Sequence, residues 1–150
     1  MTRKPIARVT GIDYLDLDQH LGYALRRAQV ASFDAFHRAT AGAGITPPRF
    51  TALVILQANP GISQSTLGEV LGTARSGAML LADWLEAKGL AERRHRPDDG
   101  RAWGLYLTAK GHKLTEHLRS RVRDQDGRFA ARIDARERRE LLRLLDKLVT

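Results

Sequence analysis

The sequence of 150 residues contains no cysteine. This absence excludes disulfide bonds, thiolate metal ligands and a sensor based on thiol oxidation for this chain. The sequence also lacks any uninterrupted apolar run of about 18 residues, the length that a membrane helix needs. The opening MTRKPIARVTG carries basic residues but no apolar segment of the kind found in a signal peptide. We therefore expect a cytoplasmic protein.

Groupings that could support catalysis, a cofactor or a metal ion do not stand out either. There is no Ser-His-Asp set, carboxylate pair or phosphate-binding loop, and GAGITP is too short for a dinucleotide-binding fingerprint. The five histidines do not have the spacing of metal ligands. The sequence therefore predicts no enzyme, no cofactor and no metal site. The histidines are His20, His37, His95, His112 and His117.

Acidic residues are outnumbered by basic ones. The chain has 25 Lys and Arg against 17 Asp and Glu, a formal net charge of +8. Six basic residues and three acids fall within residues 91–113. Neutralising phosphates and releasing their counterions supplies much of the affinity of nucleic-acid-binding proteins, so this balance favours such a partner. A well-solvated basic surface with no such partner would give the same composition.

Helical periodicity marks both ends of the chain. A long first helix with a broad apolar surface is predicted from Leu17 to about Ala41. Thr108 is predicted to cap a long basic helix, and Asp134, with Glu137 three residues later, to cap the last helix. An apolar stripe runs along that last helix, formed by Leu141, Leu142, Leu145, Leu148 and Val149.

The middle of the chain carries the start and stop signals of three shorter helices. Thr46 is predicted to cap the first of them, with Pro47 at its first helical position. Ser63 is predicted to cap the next helix, which Gly72 ends, and Thr73 the one after that. Three apolar positions of this last helix are predicted to be buried: Met79, Leu81 and Leu85.

A β-hairpin is predicted in the segment RRHRPDDGRAWGLYLT, residues 93–108. PDDG supplies the turn, and apolar residues occupy every second position after it. We expect those residues, Trp103, Leu105 and Leu107, to anchor the hairpin on the domain. The element order α-α-α-α-β-β-α-α predicts a mainly α protein, a winged helix-turn-helix flanked by helices at both ends.

Four markers in this order resemble the MarR family of bacterial transcription regulators. They are the helix start GITPP, the helix end LEAKGL, the wing motif formed by Asp99 and Arg101, and the exit LYLTAKG. Together they cover residues 44–111, and the flanking helices fit the dimerisation arms of that family. The resemblance implies one domain over residues 1–150, with the winged helix at about 45–110 and dimerisation helices at about 14–41 and 109–150.

The resemblance and the residue chemistry together predict a DNA-binding surface. The first turn of the fourth helix, above all Arg75, would enter the major groove, and the polar start of the third helix suits phosphate oxygens. In the hairpin, Asp99 and Arg101 point to the same side and would hold the arginines of the wing against DNA; the resemblance implies a contact or organising role for Arg101. The predicted DNA-binding residues are Ser63, Gln64, Ser65, Thr66, Thr73, Ala74, Arg75, Ser76, Gly77, Arg94, Arg96, Asp99 and Arg101.

Two features of the fourth helix are unusual. Gly77 costs about 1 kcal/mol relative to Ala inside a helix. A close approach to the DNA backbone or to the third helix would explain its presence. The run Met79-Leu80-Leu81 puts apolar residues where many members of the MarR family carry a polar or basic side chain. Base specificity therefore cannot be transferred from that family.

A small-molecule effector, often an aromatic acid or its derivative, is a further implication of the resemblance. Its pocket would lie where the first, second and fifth helices meet the DNA-binding lobe. An Arg or His on an apolar wall would pair with the carboxylate of such a ligand. Alternatively, the aromatic candidates belong to the core, and the polar ones face solvent or a dimer interface. The candidates are Tyr23, Arg26, Phe33, His37, Arg49 and Phe50.

The function predicted from the sequence is a homodimeric, sequence-specific regulator, most simply a repressor. Two-fold symmetry would match it to a pseudo-palindromic operator. Two alternatives stay open at this point. A winged-helix protein that coats or bends DNA would bind without regard to sequence. A protein-interaction module would carry its basic face incidentally, and replacing Arg75 or Arg101 would leave its function intact.

Overall fold

A computed structural model describes residues 8–97 and 99–149, and of the wing residues 99–101 it describes only the backbone. Within this part of the chain, six α-helices and one antiparallel hairpin follow each other in the predicted order. The fold class predicted from the sequence, mainly α with a β-hairpin wing, is confirmed. The elements are α1 (Leu21–Ala39), α2 (Pro47–Ala58), α3 (Gln64–Val70), α4 (Arg75–Ala87), β1 (Ala91–Arg96), β2 (Asp99–Leu107), α5 (Ala109–Phe129) and α6 (Ala135–Asp146).

The chain divides into two compact units. The central unit is Thr40–Arg121, and the terminal unit combines the segment that ends at Ala39 with the segment that begins at Val122. The terminal unit thus contains α1 and α6, the central unit contains α2 to β2, and the residues of α5 are shared between them. The domain boundaries predicted from the sequence stay a prediction.

The central unit contains a complete apolar core. Every large side chain that is described as less than 2% exposed lies in it. Thr115, the polar member of this set, donates from Oγ1 to the Gly111 carbonyl at 2.8 Å, so its hydroxyl is hydrogen-bonded despite its burial. Each of α2, α3, α4, β2 and α5 contributes to this core. Its members are Leu53, Leu56, Leu67, Leu85, Leu105, Leu118 and Thr115.

Most helix starts follow the local signals in the sequence. Ser63 Oγ accepts a hydrogen bond from the Thr66 amide at 3.1 Å, and Thr108 Oγ1 accepts one from the Gly111 amide at 3.0 Å. Asp134 forms the predicted capping box with Glu137. Thr46 occupies the N-cap of α2, although its side chain makes no capping hydrogen bond. These starts are set by residues a few positions apart, which is why the sequence predicts them.

The predicted N-cap of α4 is wrong by one residue. Ala74 takes this position, and it has no side-chain acceptor for the amides of the first turn. The Thr73 hydroxyl lies against Gly77 instead, where an added Cβ would overlap it. The close approach of α3 to α4 occurs elsewhere: a Cβ on Gly68 would lie 3.0 Å from that of Ala78. Gly77 therefore makes room for Thr73, not for α3.

Two residues predicted to be buried are exposed. Met79 is 46% exposed because the core-facing stripe of α4 consists of Ala78, Ala82 and Leu85, and Met79 lies one residue away from this stripe. Trp103 is 55% exposed and does not anchor the hairpin. Its ring lies 4.1 Å from that of His95, its partner across the strands.

The hairpin is anchored further along β2. Leu105 and Leu107 are buried, as predicted. The backbone of Leu105 also pairs with the segment before α3: its amide donates to the Ile62 carbonyl at 3.0 Å, and its carbonyl accepts from the Gly61 amide at 2.9 Å. A Cβ on Gly104 would lie 2.6 Å from the Gly61 carbonyl oxygen, so glycine is required for this approach. The base of the wing is therefore fixed to the central unit.

The terminal unit leaves much of its apolar surface exposed. The described apolar residues that it buries are few and small: Val30, Ala35 and Ala39. α6 buries none of its residues. The first helix of this unit starts later than predicted, because Leu17 lies in a short 3-10 turn before α1. The predicted stripe of the last helix remains exposed at Leu141 and Leu142 of α6, and at Leu148 and Val149, which were predicted on this helix but follow its end at Asp146.

Candidate DNA-binding interface

One face of α4 is turned to solvent. At about 100° per residue, this face spans about 140° of the helix circumference and excludes the residues that α4 contributes to the core. It begins with a cation at Arg75 and a hydroxyl at Ser76, continues with two apolar side chains, and ends with a carboxylate at Asp83. From the start of α4 to Asp83, the exposed residues of this face are Arg75, Ser76, Met79, Leu80 and Asp83.

The start of α3 presents a cluster of hydroxyl groups. Ser63 Oγ lies 2.8 Å from Ser65 Oγ and 2.9 Å from Thr66 Oγ1, in addition to accepting the Thr66 amide. Ser65 and Thr66 are exposed. Hydroxyls that share hydrogen bonds in this way are held in place, which suits contacts to phosphate oxygens.

Arg93 connects three elements of the central unit. From β1, its guanidinium donates to Glu86 and, at 2.8 Å, to Asp83, both on α4. It also donates to Gln64 Oε1 on α3 at 2.9 Å. The Arg93 backbone amide donates to Glu86 as well, at 3.0 Å. One cation thus holds the wing, α3 and α4 together.

This network determines which charges α4 presents. Asp83 lies on the exposed face, and an unpaired carboxylate there would repel a phosphate backbone. Arg93 pairs with Asp83 and with Glu86, so neither carboxylate is left without a cation. Because Gln64 accepts through its oxygen, its amide nitrogen stays available as a donor.

Arg93 was missed by the sequence analysis, which selected Arg94 and Arg96 from the same strand. One local signal points to Arg93. A carboxylate near the end of a helix can pair with an arginine that follows within a few residues in the next strand. Glu86 and Arg93 are separated by seven residues across the turn at Gly89. The contact to Gln64 spans 29 residues and has no local signal.

Arg94 follows Arg93 in β1, so its side chain lies on the other face of the hairpin. The Arg94 guanidinium lies 4.1 Å from the centre of the Tyr106 ring, and its Nε lies 3.3 Å from Glu92 Oε1. Arg96 is opposite Asp99 at a register irregularity of the hairpin. The predicted pair between Asp99 and Arg101 concerns side chains outside the described part of the chain.

The six effector candidates are divided between the two units, four on α1 and two on α2. In the terminal unit, Arg26 donates to Gln29 at 3.4 Å, whereas Phe33 is 41% exposed. In the central unit, the Arg49 guanidinium lies 3.7 Å from the Trp84 ring centre and donates to the Gly44 carbonyl at 3.1 Å. The other candidates are Tyr23 and Phe50, which are half-buried, and His37, which is exposed. Their role stays a prediction.

The described residues contain neither a metal-binding group nor a membrane-spanning helix. Over residues 8–97 and 99–149, no group of three or more His, Cys, Asp or Glu side chains is arranged to hold a metal ion. None of the helices described combines the length and apolar character needed to cross a membrane.

Comparison with known proteins extends these observations. The MarR family profile matches residues 43–102. A protein of Thauera aromatica, named for transcriptional regulation of the hcr operon, is 37% identical over 129 residues, which are 85% of this chain and 78% of its own. An HTH-type transcriptional repressor of Mycobacterium tuberculosis is 31% identical over 131 residues, which are 87% of this chain and 94% of its own.

Solved structures of transcriptional repressors are also similar to this chain. The transcriptional repressor CouR bound to a 23-mer DNA duplex matches with a TM-score of 0.87 and 32% identity, over 94% of this chain and 100% of that one. CouR bound to p-coumaroyl-CoA matches with a TM-score of 0.83 and 31% identity, over 92% of this chain and 97% of that one.

Proposed function

The chain belongs to the MarR family of transcription regulators, and we propose that it is a homodimeric repressor that binds a specific operator and is released by a small aromatic effector. Members of this family regulate transcription and are not enzymes. The observation that carries the proposal is the solvent-facing side of α4, which presents a cation and a hydroxyl group at its start. The wing is held next to this helix, because Arg93 of β1 donates to Glu86 of α4. A recognition helix enters the major groove in this way, by its first turns.

A second copy of the chain is the partner that the terminal unit fits. An apolar groove of about 590 Å³ lies between α1, the end of α5 and α6. The stripe of α6 lines part of it, and a groove of this kind is covered in a stable oligomer because exposed apolar patches favour association. Its apolar lining includes Leu25, Phe129, Ile133, Leu141, Leu142 and Leu145.

A two-fold dimer fixes the form of the operator. Each copy presents one α4, so the site consists of two inverted half-sites about one turn of DNA apart. Arg75 and Ser76 would contact base edges, whereas the hydroxyls at the start of α3 and the wing arginines would contact the backbone. The predicted DNA-binding residues thus divide into one set that selects sequence and another that positions the protein.

The proposed effector is an aromatic acid or a derivative of one. CouR, at 31% identity, has been solved with p-coumaroyl-CoA, an aromatic thioester, which makes the same chemical class the first to test. An effector would release the operator by binding more tightly to a conformation whose recognition helices no longer match the half-site spacing. A ligand at 100 times its dissociation constant stabilises the protein by about 2.7 kcal/mol, which a thermal-shift screen of aromatic acids and their coenzyme A thioesters detects.

A fluorescence-anisotropy titration tests the DNA-binding function. The protein is titrated against the DNA upstream of its own gene and against a scrambled duplex at near-physiological salt. The proposal predicts a preference of about 10³-fold or more for the upstream DNA. Equal binding to both duplexes, with a steep salt dependence, would favour the sequence-independent alternative.

Arg75→Ala provides the matched variant, with Arg128→Ala on the exposed surface of the terminal unit as its control. Both changes remove one positive charge, but only Arg75 lies on α4. The proposal predicts that Arg75→Ala lowers operator affinity at least tenfold and that Arg128→Ala has little effect. Equal affinities of the two variants would contradict the role of α4.

A further inference from the structure

We propose that Leu80, with Met79 beside it, recognises the C5-methyl group of a thymine in each half-site, an inference that rests on the proposed operator binding. Leu80 is 67% exposed and Met79 is 46% exposed. Both lie on the face of α4 that also carries Arg75 and Ser76. The helix thus presents apolar surface where it would meet base edges.

An apolar side chain in the major groove is not neutral among the four base pairs. Thymine presents a methyl group there, whereas the other bases present hydrogen-bond donors and acceptors. A leucine placed against a donor or acceptor removes its water without replacing the hydrogen bond, which is costly. Against a thymine methyl, the same leucine buries apolar surface on both partners. Leu80 therefore favours thymine by attraction and disfavours the other bases by desolvation.

The position of Leu80 along α4 also suits base recognition. It follows Arg75 by five residues, a rise of about 7.5 Å along the helix axis. Over the same five residues the helix turns by about 140°, so the two side chains point to different parts of the groove. We therefore expect the recognised thymine in the same half-site as the position that Arg75 contacts, but at a different base pair.

The charges around this face allow the approach of DNA. Asp83 is the acid of the face, and Arg93 pairs with it at 2.8 Å. Among the residues that the structure describes, the other large exposed apolar side chains of the central unit are Val70 (51% exposed) at the end of α3 and Trp103 (55% exposed) in the wing. Val70 therefore offers a control with similar exposure away from the α4 face.

The test compares thymine with deoxyuracil, which lacks only the methyl group. An operator is first obtained by selection from random duplexes, and each thymine is then replaced singly. With the wild-type protein, one position per half-site loses about fourfold in affinity, the change expected for burying one methyl-sized group. Replacing both symmetry-related thymines loses about fifteenfold.

Protein variants identify the side chain responsible. With Leu80→Ala, the loss caused by deoxyuracil at that position falls to less than twofold, whereas Val70→Ala retains it in full. The inference is overturned if no thymine position responds in the wild type, or if Leu80→Ala responds as strongly as the wild type. A selection that enriches no sequence would instead contradict the proposed operator binding itself.

Discussion

The central and terminal units differ in where their large apolar side chains lie. The central unit buries leucines completely, among them Leu53 and Leu85. In the terminal unit, α6 buries nothing, and Leu142 is 58% exposed. A unit that encloses its leucines can be stable alone, whereas one that exposes them gains stability by covering them. This difference is the reason why the homodimer that we propose is joined through the terminal unit.

Each unit also carries an exposed leucine, and the two leucines have different neighbours. Leu80 and Leu142 have similar exposed fractions, 67% and 58%. Leu80 lies beside Arg75 and Ser76 on α4, whereas Leu142 lines an apolar groove. Exposure alone therefore does not define the partner; the neighbouring side chains do. For this reason the two proposals give Leu80 a DNA contact and Leu142 a contact with a second copy.

The largest effect is expected on the free energy of unfolding, when a buried leucine of α4 is replaced instead of an exposed one. Leu85→Ala removes a side chain that is 0% exposed and should lower the free energy of unfolding by about 2–5 kcal/mol. Leu80→Ala should change it by no more than about 0.5 kcal/mol. Urea denaturation measures both, and a similar loss for the two variants would show that the core of the central unit is not where we place it.

The second prediction concerns the groove of the terminal unit. Leu142→Asp places a carboxylate against apolar surface, and an uncompensated charge in an interface costs several kcal/mol. We expect the dimer dissociation constant to rise at least a hundredfold, as measured by sedimentation velocity. Leu80→Asp is the control: it should leave self-association unchanged and abolish operator binding. The comparison fails if Leu142→Asp remains fully dimeric at nanomolar concentration.

The third prediction tests the network around Arg93. Arg93→Ala leaves Glu86 and Asp83 without their cation, and the side chain is only 27% exposed. We expect a loss of about 1–3 kcal/mol in the free energy of unfolding, together with weaker operator binding.

A triple variant combines Arg93→Ala with Asp83→Asn and Glu86→Gln. It tests whether the unpaired carboxylates cause the loss of DNA affinity. It should recover most of the lost DNA affinity, because the carboxylates that repel phosphate are then neutral. An affinity that stays as low as in Arg93→Ala would mean that Arg93 acts through another route.

The smallest effect is expected at Gly127 of α5, which we compare with Gly111 of the same helix. A Cβ on Gly111 would overlap the Leu90 carbonyl, so Gly111→Ala should destabilise the protein by about 1–3 kcal/mol. A Cβ on Gly127 meets nothing within 4 Å, so Gly127→Ala should stabilise the protein by up to about 1 kcal/mol. Thermal unfolding distinguishes the two signs. Destabilisation by Gly127→Ala would contradict the expectation that a Cβ at this position meets no other atom.

The sequence predicts well what depends on residues close together in the chain. Ser63, Thr108 and Asp134 begin their helices as expected, because a cap and its amides lie within three residues. Burial is harder to predict, since a rotation of about 100° per residue separates Met79 from the core stripe of α4. The predicted anchoring role of Trp103 was wrong. Alternation of apolar residues along a strand does not show where the hairpin leaves the surface of the central unit.

The candidate site was predicted only in part, for a related reason. The exposed start of α4 follows from the pattern of the sequence. The role of Arg93 does not, because its contacts join α3, α4 and β1 and exist only when those elements are packed together.

The central claim is that two copies, joined through their terminal units, place two central units on one operator. Sedimentation velocity of a fluorescent operator duplex with increasing protein measures the number of chains in the complex. We expect a complex of two chains per duplex that forms on the operator and not on a scrambled sequence. One chain per duplex, or a mass that rises continuously on both sequences, would contradict it.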